Sequence, residues 1–280
     1  MRPKKKHFKV PANTSFNIRL LITRSLKYSV EMLSMPVETN QPPANAATFA
    51  STFKSGSIKV TANKRGATKS TTLRLIMGIL VPTAGSVFFK GHEMNRLKRS
   101  ELNEIRRNIG MVFQYSALIS SLSVRDNLAL PLEELTSKTK GEIDRVVDEK
   151  LEMVGMSHTR DSRPPELSGG MRKRVGLARA LVLDPEMILF DEPSAGLDPV
   201  ISTVIDELII DLTNRIKTTS VIVTHEMENA FRVATRMAML YQGGIVLEGT
   251  PETFRNTTNE VVSQFVNGRT DGPILEDNAS

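Results

Sequence analysis

The sequence predicts an α/β fold, a mainly parallel sheet flanked by helices, on three observations. From Gly56 onward, short apolar runs alternate with stretches of helical periodicity, the pattern of strands joined by helical crossovers. The run "MILF" at 187–190 is apolar without alternation and ends on Asp191-Glu192, which reads as a strand buried on both faces with carboxylates at its carboxyl end. Residues 124–165 are mainly helical, as in "KGEIDRVVDEKLEMVGM", so an inserted helical subdomain is expected over about 116–165.

Taken in order, residues 1–55 are irregular and expected to be poorly ordered. Within them "ETNQPPANAATFASTFKSG" reads as linker rather than paired strands. "SIKV" is a short strand leading into a loop at 63–68, and Lys69–Leu80 is helical. That helix is expected to stop at Val81-Pro82, because proline disfavours a helical residue before it. "SVFF" and "NIGMVF" read as strands around the helix "RSELNEIRRN". Past "PPELSGG" come the helix "MRKRVGLARALVL", the 187–190 strand, a helix over 200–216, the strand "SVIVTH", a helix over 226–235, and the strands "MAMLYQ" and "GIVLEG". One domain over 56–270, followed by a tail at 271–280, accounts for these elements, and no internal repeat is present.

A chain of 280 residues has ample material for a buried core. The lack of cysteine excludes a disulfide framework and a thiolate metal site, and fits a reducing compartment. No apolar run reaches the ~18 residues a spanning helix needs. The net charge of +6 is local: residues 1–30 hold eight basic and no acidic residues, leaving 29 of the 37 basic residues against 31 acidic ones. The body is therefore near neutral, and no nucleic-acid partner is expected. The basic end reads first as a disordered or misassigned start. The alternatives are a segment binding anionic lipid and a transit-type leader, which would imply an organellar location.

Residues 63–80, "NKRGATKSTTLRLIMGIL", look like a phosphate-binding loop running into a helix, for which the pattern is Gly, four residues, then Gly-Lys-Ser/Thr. Gly66, Lys69, Ser70 and Thr71 suit such a loop, but Asn63 and Thr68 occupy its glycine positions. Each motif alone has an ordinary explanation. Lys-Ser pairs often open helices, carboxylates often end strands, a lone His225 is more often structural than catalytic, and "LSGG" suits a helix capped by Ser168. Their order is what sets this chain apart. Lys69-Ser70 is followed by Gln114 after a strand, "LSGGM" at 167–171, "MILFDEP" at 187–193, "SAGLD" at 194–198 and "VIVTHE" at 221–226. In order and spacing the chain resembles the ATP-binding-cassette (ABC) ATPases over roughly residues 56–270.

That resemblance implies a P-loop NTPase core using ATP and Mg²⁺. Lys69 would put a point charge on the β- and γ-phosphates, within a loop that includes Gly66, Thr68 and Thr71. The helix opening near Ser70 would aim its N–H groups at them. Ser70, Gln114 and Asp191 would hold the metal, Glu192 would act as general base and His225 would contact the γ-phosphate. Ser168, Gly169, Gly170 and Asp198 would meet the nucleotide of a second subunit, so that two sites form across a homodimer that ATP closes and hydrolysis releases.

Local features narrow the family. "VFQYSALISSLSVRDNLALPL", Met171 where most members have glutamine, and the tail "NEVVSQFVNGRTDGPI" look like the ATPases of Mce/Mla-type lipid transporters. By that likeness the partner is an integral membrane permease, whose coupling helix docks between the Gln114 loop and the 124–165 helices. Mce-domain and STAS-type accessory proteins accompany it, and the location is peripheral, on the cytoplasmic face of the inner membrane. An amino-acid or other importer is the alternative.

The likeness falters ahead of Lys69. Family members carry an adenine-stacking aromatic about 25–30 positions before that lysine, yet nothing between Ser29 and Thr48 is aromatic. Asn63 is a mild departure, since asparagine visits positive φ readily. Thr68 is graver: if the loop needs positive φ there, a β-branched residue costs about 1–3 kcal/mol, which weakens binding about 5- to 150-fold. Three readings stay open: a loop that tolerates threonine, an ATPase-impaired binding subunit with a degenerate Walker A loop, or residues 1–68 that are not the authentic start.

Overall fold

The computed structural model describes residues 19–24, 29–31, 57–59, 71–82, 86–241 and 244–276. Its strands are β1 (Arg19–Arg24), β2 (Ser29–Glu31), β3 (Ser57–Lys59), β4 (Phe88–Phe89), β5 (His92–Glu93), β6 (Ile109–Val112), β7 (Met187–Asp191), β8 (Thr219–Thr224), β9 (Arg236–Tyr241) and β10 (Gly244–Gly249). Its helices are α1 (Thr71–Ile76), α2 (Arg99–Arg107), α3 (Val124–Leu135), α4 (Lys140–Met153), α5 (Gly169–Leu181), α6 (Pro199–Ile216), α7 (Met227–Val233), α8 (Pro251–Arg255), α9 (Glu260–Val266) and α10 (Pro273–Glu276).

A six-stranded sheet in the order β10-β9-β1-β8-β7-β6 forms the centre. β6, β7 and β8 pair in parallel, and β1 lies antiparallel between β8 and β9, so β6 to β9 all point the same way. Every residue of β7 is buried. Its side chains alternate between two apolar clusters: Ile188 and Phe190 join Val112 and Ile222, whereas Met187 and Leu189 join Ile109, Val221 and Val223. Helices α3 to α9 cover the first face; α1, α2 and the β4–β5 hairpin cover the second. Burying each such side chain contributes about 1.5–3 kcal/mol, which is why a run as short as "MILF" commits to a central strand.

Between β6 and α5 the chain is helical, as expected, and caps set where the helices begin. Ser123 Oγ accepts from Asp126 N at 3.0 Å to start α3, and Thr139 with Glu142 closes a reciprocal box that starts α4. The buried Asn127 ties the preceding loop to α3: it accepts from Ile119 N and donates to the carbonyls of Ile119, Leu122 and Ser123. Arg125 and Arg160 converge on Asp144, joining α3, α4 and the chain beyond α4.

Three expectations need correction. Residues 1–55 are not irregular throughout: β1 sits inside the central sheet and β2 pairs in parallel with β3, while the linker reading of 38–56 lies outside the described residues. Local patterning misses β1 because its partners are remote, with Leu20 opposite Thr224. "SIK" is a strand, but it belongs to the two-stranded β2–β3 sheet rather than to the central one. Finally, α1 ends at Ile76, well before Pro82. Gly78 takes φ 63°, its N–H donates to Leu75 O and the Ile79 N–H to Arg74 O, both at 2.9 Å, so a left-handed glycine stops the helix first. The loop over 60–70 and residues 277–280 lie outside the described residues.

Candidate functional site

Three adjacent parallel strands deliver polar side chains to one end of the sheet. Gln114 follows β6, Asp191 ends β7 with Glu192 next, and His225 follows β8. The crevice beyond the carboxyl ends of parallel strands is where ligands of open α/β sheets bind. Register aligns these ends, since Asp191 faces Val223 and the Glu192 amide donates to Val223 O at 2.9 Å. Asp191 and Glu192 are 5% and 2% exposed, and Glu192 takes φ 48°, a left-handed value that a non-glycine residue holds only when its surroundings enforce it. His225 Nδ1 lies 2.9 Å from Glu192 Oε1, with the imidazole 47% exposed. A buried carboxylate thus holds a histidine that reaches solvent.

Around this end the structure adds a polar lattice. Asn229 Nδ2 donates to Ser194 Oγ at 2.8 Å, Ser202 Oγ at 3.0 Å and Glu226 Oε2, so α7, α6 and the loop after β7 are fastened together. Lys173, on α5, donates from Nζ to Gln114 O at 2.6 Å and to Glu192 O at 3.3 Å. Burial drives the Lys173 pKa below the usual lysine range, opposed by the nearby Glu192, Glu226 and Asp191.

A second group gathers at the start of α5. Ser168 caps that helix, its Oγ accepting from Met171 N at 3.3 Å. A Cβ on Gly170 would meet Ile201 Cγ2 at 2.8 Å, and one on Gly169 would meet Leu197 Cδ2 at 3.4 Å. Gly170 therefore leaves room for the close approach of Ile201, whereas at Gly169 the contact is near the ordinary van der Waals range. Within that segment Asp198 caps α6, its Oδ1 accepting from Val200 N and Ile201 N at 3.0 Å. The segment of Ser168, Gly169 and Gly170 thus packs against the segment that carries Asp198.

Of the loop residues, only Thr71 is described, at the start of α1; Gly66, Thr68, Lys69, Ser70 and Asn63 fall outside the described residues. Sequence reading missed Lys173 and Arg179. For Arg179 a signal was present: "VGLARAL" is apolar on either side of it, so that part of α5 had to be buried and the cation had to find internal partners.

A groove of about 280 Å³ opens between the β6 edge, α3 and α5, lined among others by Arg107, Phe113, Ile119, Leu130, Pro131 and Arg179. Phe113 and Ile119 are among the exposed large hydrophobics. Among the described residues no helix is long and apolar enough to cross a membrane, and no group of three or more His, Cys, Asp or Glu gathers to hold a metal.

Comparison with known proteins gives these features a context. The family model described as ABC transporter matches residues 49–195, a span that begins ahead of the 63–70 loop. The intermembrane phospholipid transport system ATP-binding protein MlaF of Haemophilus influenzae is 39% identical over 221 residues, 79% of this chain and 84% of that protein. The probable ribonucleotide transport ATP-binding protein mkl of Mycobacterium tuberculosis is 43% identical over 223 residues, and the match spans 80% of this chain but only 62% of that relative's length. The methionine import ATP-binding protein MetN of Geobacillus kaustophilus is 41% identical over 202 residues, 72% of this chain and 59% of that protein. Among solved structures, a dimeric ATP-binding cassette in a post-hydrolysis state bound to ADP and Pi superimposes with a TM-score of 0.61 at 26% identity, covering 84% of this chain and 98% of that one. With the ordered motifs, the strand-end carboxylates and these matches in agreement, the chain belongs to the ABC transporter ATP-binding family.

Proposed function

We propose that this chain is the ATP-binding and hydrolysing subunit of an ABC transporter that drives phospholipid movement through a membrane permease. The observation that carries the ATPase part is the buried Glu192 held 2.9 Å from His225 Nδ1, beside Asp191 at a parallel strand end. Glu192 takes a proton from the attacking water, and His225, oriented by Glu192 through Nδ1, offers its other ring nitrogen to the γ-phosphate. Asp191 suits Mg²⁺ as a hard oxygen donor. A magnesium site normally combines one or two protein oxygens with substrate phosphates, and Asp191 can supply one of them. Ser70 and Gln114 complete that donor set, and Lys69, with Gly66, Thr68 and Thr71, cradles the triphosphate. Bound Mg²⁺ would supply charge neutralisation as the phosphoryl group leaves.

Two copies assemble head to tail, each presenting Ser168, Gly169, Gly170 and Asp198 to the nucleotide of the other. A dimeric neighbour structure supports this arrangement. The groove beside Phe113 and Ile119 receives a helix of the permease, and the chain sits peripherally on the cytoplasmic face of the inner membrane. Phospholipid is the favoured cargo, with Mce-domain and STAS-type proteins as further partners. MlaF of Haemophilus influenzae is matched over 84% of its own length, and the "DGPI" tail is a built feature. Gly272 takes φ 127°, and the Ile274 amide donates to Gln264 Oε1 at 2.9 Å, seating Ile274 in the core. Methionine or another importer's cargo is the competing assignment, on the strength of MetN.

A second reading, an ATPase-impaired subunit, is favoured by Asn63 and Thr68 alone. Calorimetric titration of Mg-ATP into the full chain and into Thr68→Gly tests both. Tight binding by both supports hydrolysis with a tolerant loop. Binding only by Thr68→Gly makes threonine the lesion, and binding by neither overturns the ATPase reading.

A further inference from the structure

Three residues along nearly two turns of α5 grip one short loop. Lys173 Nζ takes Gln114 O at 2.6 Å. Three residues on, a Cβ on Gly176 would already lie 3.1 Å from Ser116 Cβ, so the loop rests directly on the helix there. Three further on, Arg179 donates from Nη2 to Ser116 O at 2.8 Å and from Nη1 to Ala117 O at 2.7 Å. Spacings of three put these residues on one side of the helix. The loop needs such a grip, because Ser116 and Ala117 take φ 61° and 49°, left-handed values that cost a non-glycine residue conformational energy.

Lys173 differs from Arg179 in its second contact. Its Nζ also reaches Glu192 O at 3.3 Å, so one ammonium bridges the loop after β6 and the residue after β7. It is 7% exposed, and no ordinary surface role accounts for a lysine at that depth. The ammonium grips the two segments through their backbone carbonyls, one of them that of Glu192 itself.

We infer that Lys173 is a positioning residue that fixes the Gln114 loop relative to Glu192, so that the groups facing metal and water on both segments act as one unit. The catalytic consequence rests on the ATPase reading above; the restraint itself does not.

Two measurements on the full chain test this. Hydrogen exchange reads the restraint: the Ser116 and Ala117 amides are bonded to Phe113 O and Tyr115 O and report whether the loop stays closed. In Lys173→Met these amides exchange about tenfold faster or more, the expected loss of a charged hydrogen bond, while the core strands stay as protected as in wild type. Steady-state ATPase assays read the consequence: kcat falls about 10- to 100-fold through misplacement of the reacting groups, with KM for Mg-ATP within about twofold of wild type. Lys173→Gln, which keeps one donor, gives the same signs if the methionine variant does not fold.

Unchanged loop exchange in a folded variant overturns the inference. So does faster exchange spread evenly over the chain, or a KM that rises by the factor by which kcat falls, since each makes Lys173 merely structural. If the wild-type chain turns over no ATP, the ATPase reading falls, and the exchange comparison alone decides for or against Lys173. The chain has no tryptophan, so Tyr115→Trp, at a position 86% exposed, places a single fluorophore in the loop as an independent check. Its quenching by acrylamide rises in the Lys173→Met background if the loop is released, and stays constant if it is not.

Discussion

Replacing Glu192 by glutamine exchanges one carboxylate oxygen for an amide and leaves the shape almost intact. Glutamine keeps a carbonyl oxygen that can stay 2.9 Å from His225 Nδ1, so the histidine keeps its orientation and the buried strand end keeps its packing. What disappears is the capacity to take a proton from water. A positioned general base is worth about 10²- to 10⁴-fold in rate, or about 3–5 kcal/mol of barrier at 1.36 kcal/mol per tenfold. Nucleotide affinity does not fall, because the removed charge repels phosphate rather than attracting it. Phosphate release measured at saturating Mg-ATP should therefore drop by that factor, and gel filtration with Mg-ATP should show a dimer that persists because hydrolysis no longer releases it. If wild-type turnover is too slow to follow, the comparison is made in the Thr68→Gly background. Turnover within about tenfold of the parent would remove Glu192 from the role of base. An equal loss of Mg-ATP affinity would instead mean that the substitution damages the site.

Three other consequences concern the scaffold. Arg106 donates to Met77 O and Gly78 O at 2.9 Å each, closing the end of α1, so Arg106→Met should cost about 1.5–3 kcal/mol in urea unfolding; no change in midpoint would mean that solvent replaces both bonds. A Cβ on Gly110 would lie 2.5 Å from the backbone oxygen of Ala180, so Gly110→Ala should lower stability by about 1–3 kcal/mol or more, read as a fall in Tm; an unchanged Tm would refute the tight β6–α5 contact. Asp206, 1% exposed and 2.7 Å from Arg232, has its pKa raised to about 6, chiefly by burial. The folded state then binds the proton more tightly than the unfolded one between about pH 4 and 6, so this group's contribution to stability falls as pH rises through that window, by about 3 kcal/mol in all. Asp206→Asn should thus gain on wild type as pH rises from about 4 to 7; a flat or opposite difference in urea titrations would show that Arg232 outweighs burial.

Much of the fold was legible because its signals are local. "MILF" needed no partner to declare itself a doubly buried strand, and Ser168 caps the helix that its neighbours begin. What escaped depends on contacts remote in sequence. β1 is six residues, "RLLITR", whose pairing with β8 and β9 no neighbouring turn announces. The end of α1 carried two competing stop signals, and the left-handed glycine acted before the proline. At the candidate site, the residues that bear charge were visible as motifs, but the lysine that bridges two of those motifs was not. Lys173 looks like one more cation among "MRKR" until the fold buries it against Gln114 O and Glu192 O.

The division between the two functional readings follows from how the site is built. Asp191, Glu192 and His225 are set by β7 and β8, and their positions draw on the packing of two strands with the helices around them. In the proposed function residues 60–70 supply charge and backbone donors to the triphosphate, a task separate from orienting water at that strand end. A defect at Thr68 is therefore expected to act on nucleotide affinity and not on the fold. Forcing a threonine to positive φ costs about 1–3 kcal/mol, and if that strain is felt only with nucleotide bound it appears as a 5- to 150-fold change in Kd at about 1.4 kcal/mol per tenfold. Thr68→Gly should then tighten Mg-ATP binding by that factor while leaving the unfolding midpoint of the nucleotide-free chain within about 0.5 kcal/mol of wild type, the range of a surface substitution. A variant that gains affinity and apo stability together would show that the strain sits in the resting loop. A variant that gains neither would exonerate Thr68 and move the question to the residues ahead of it.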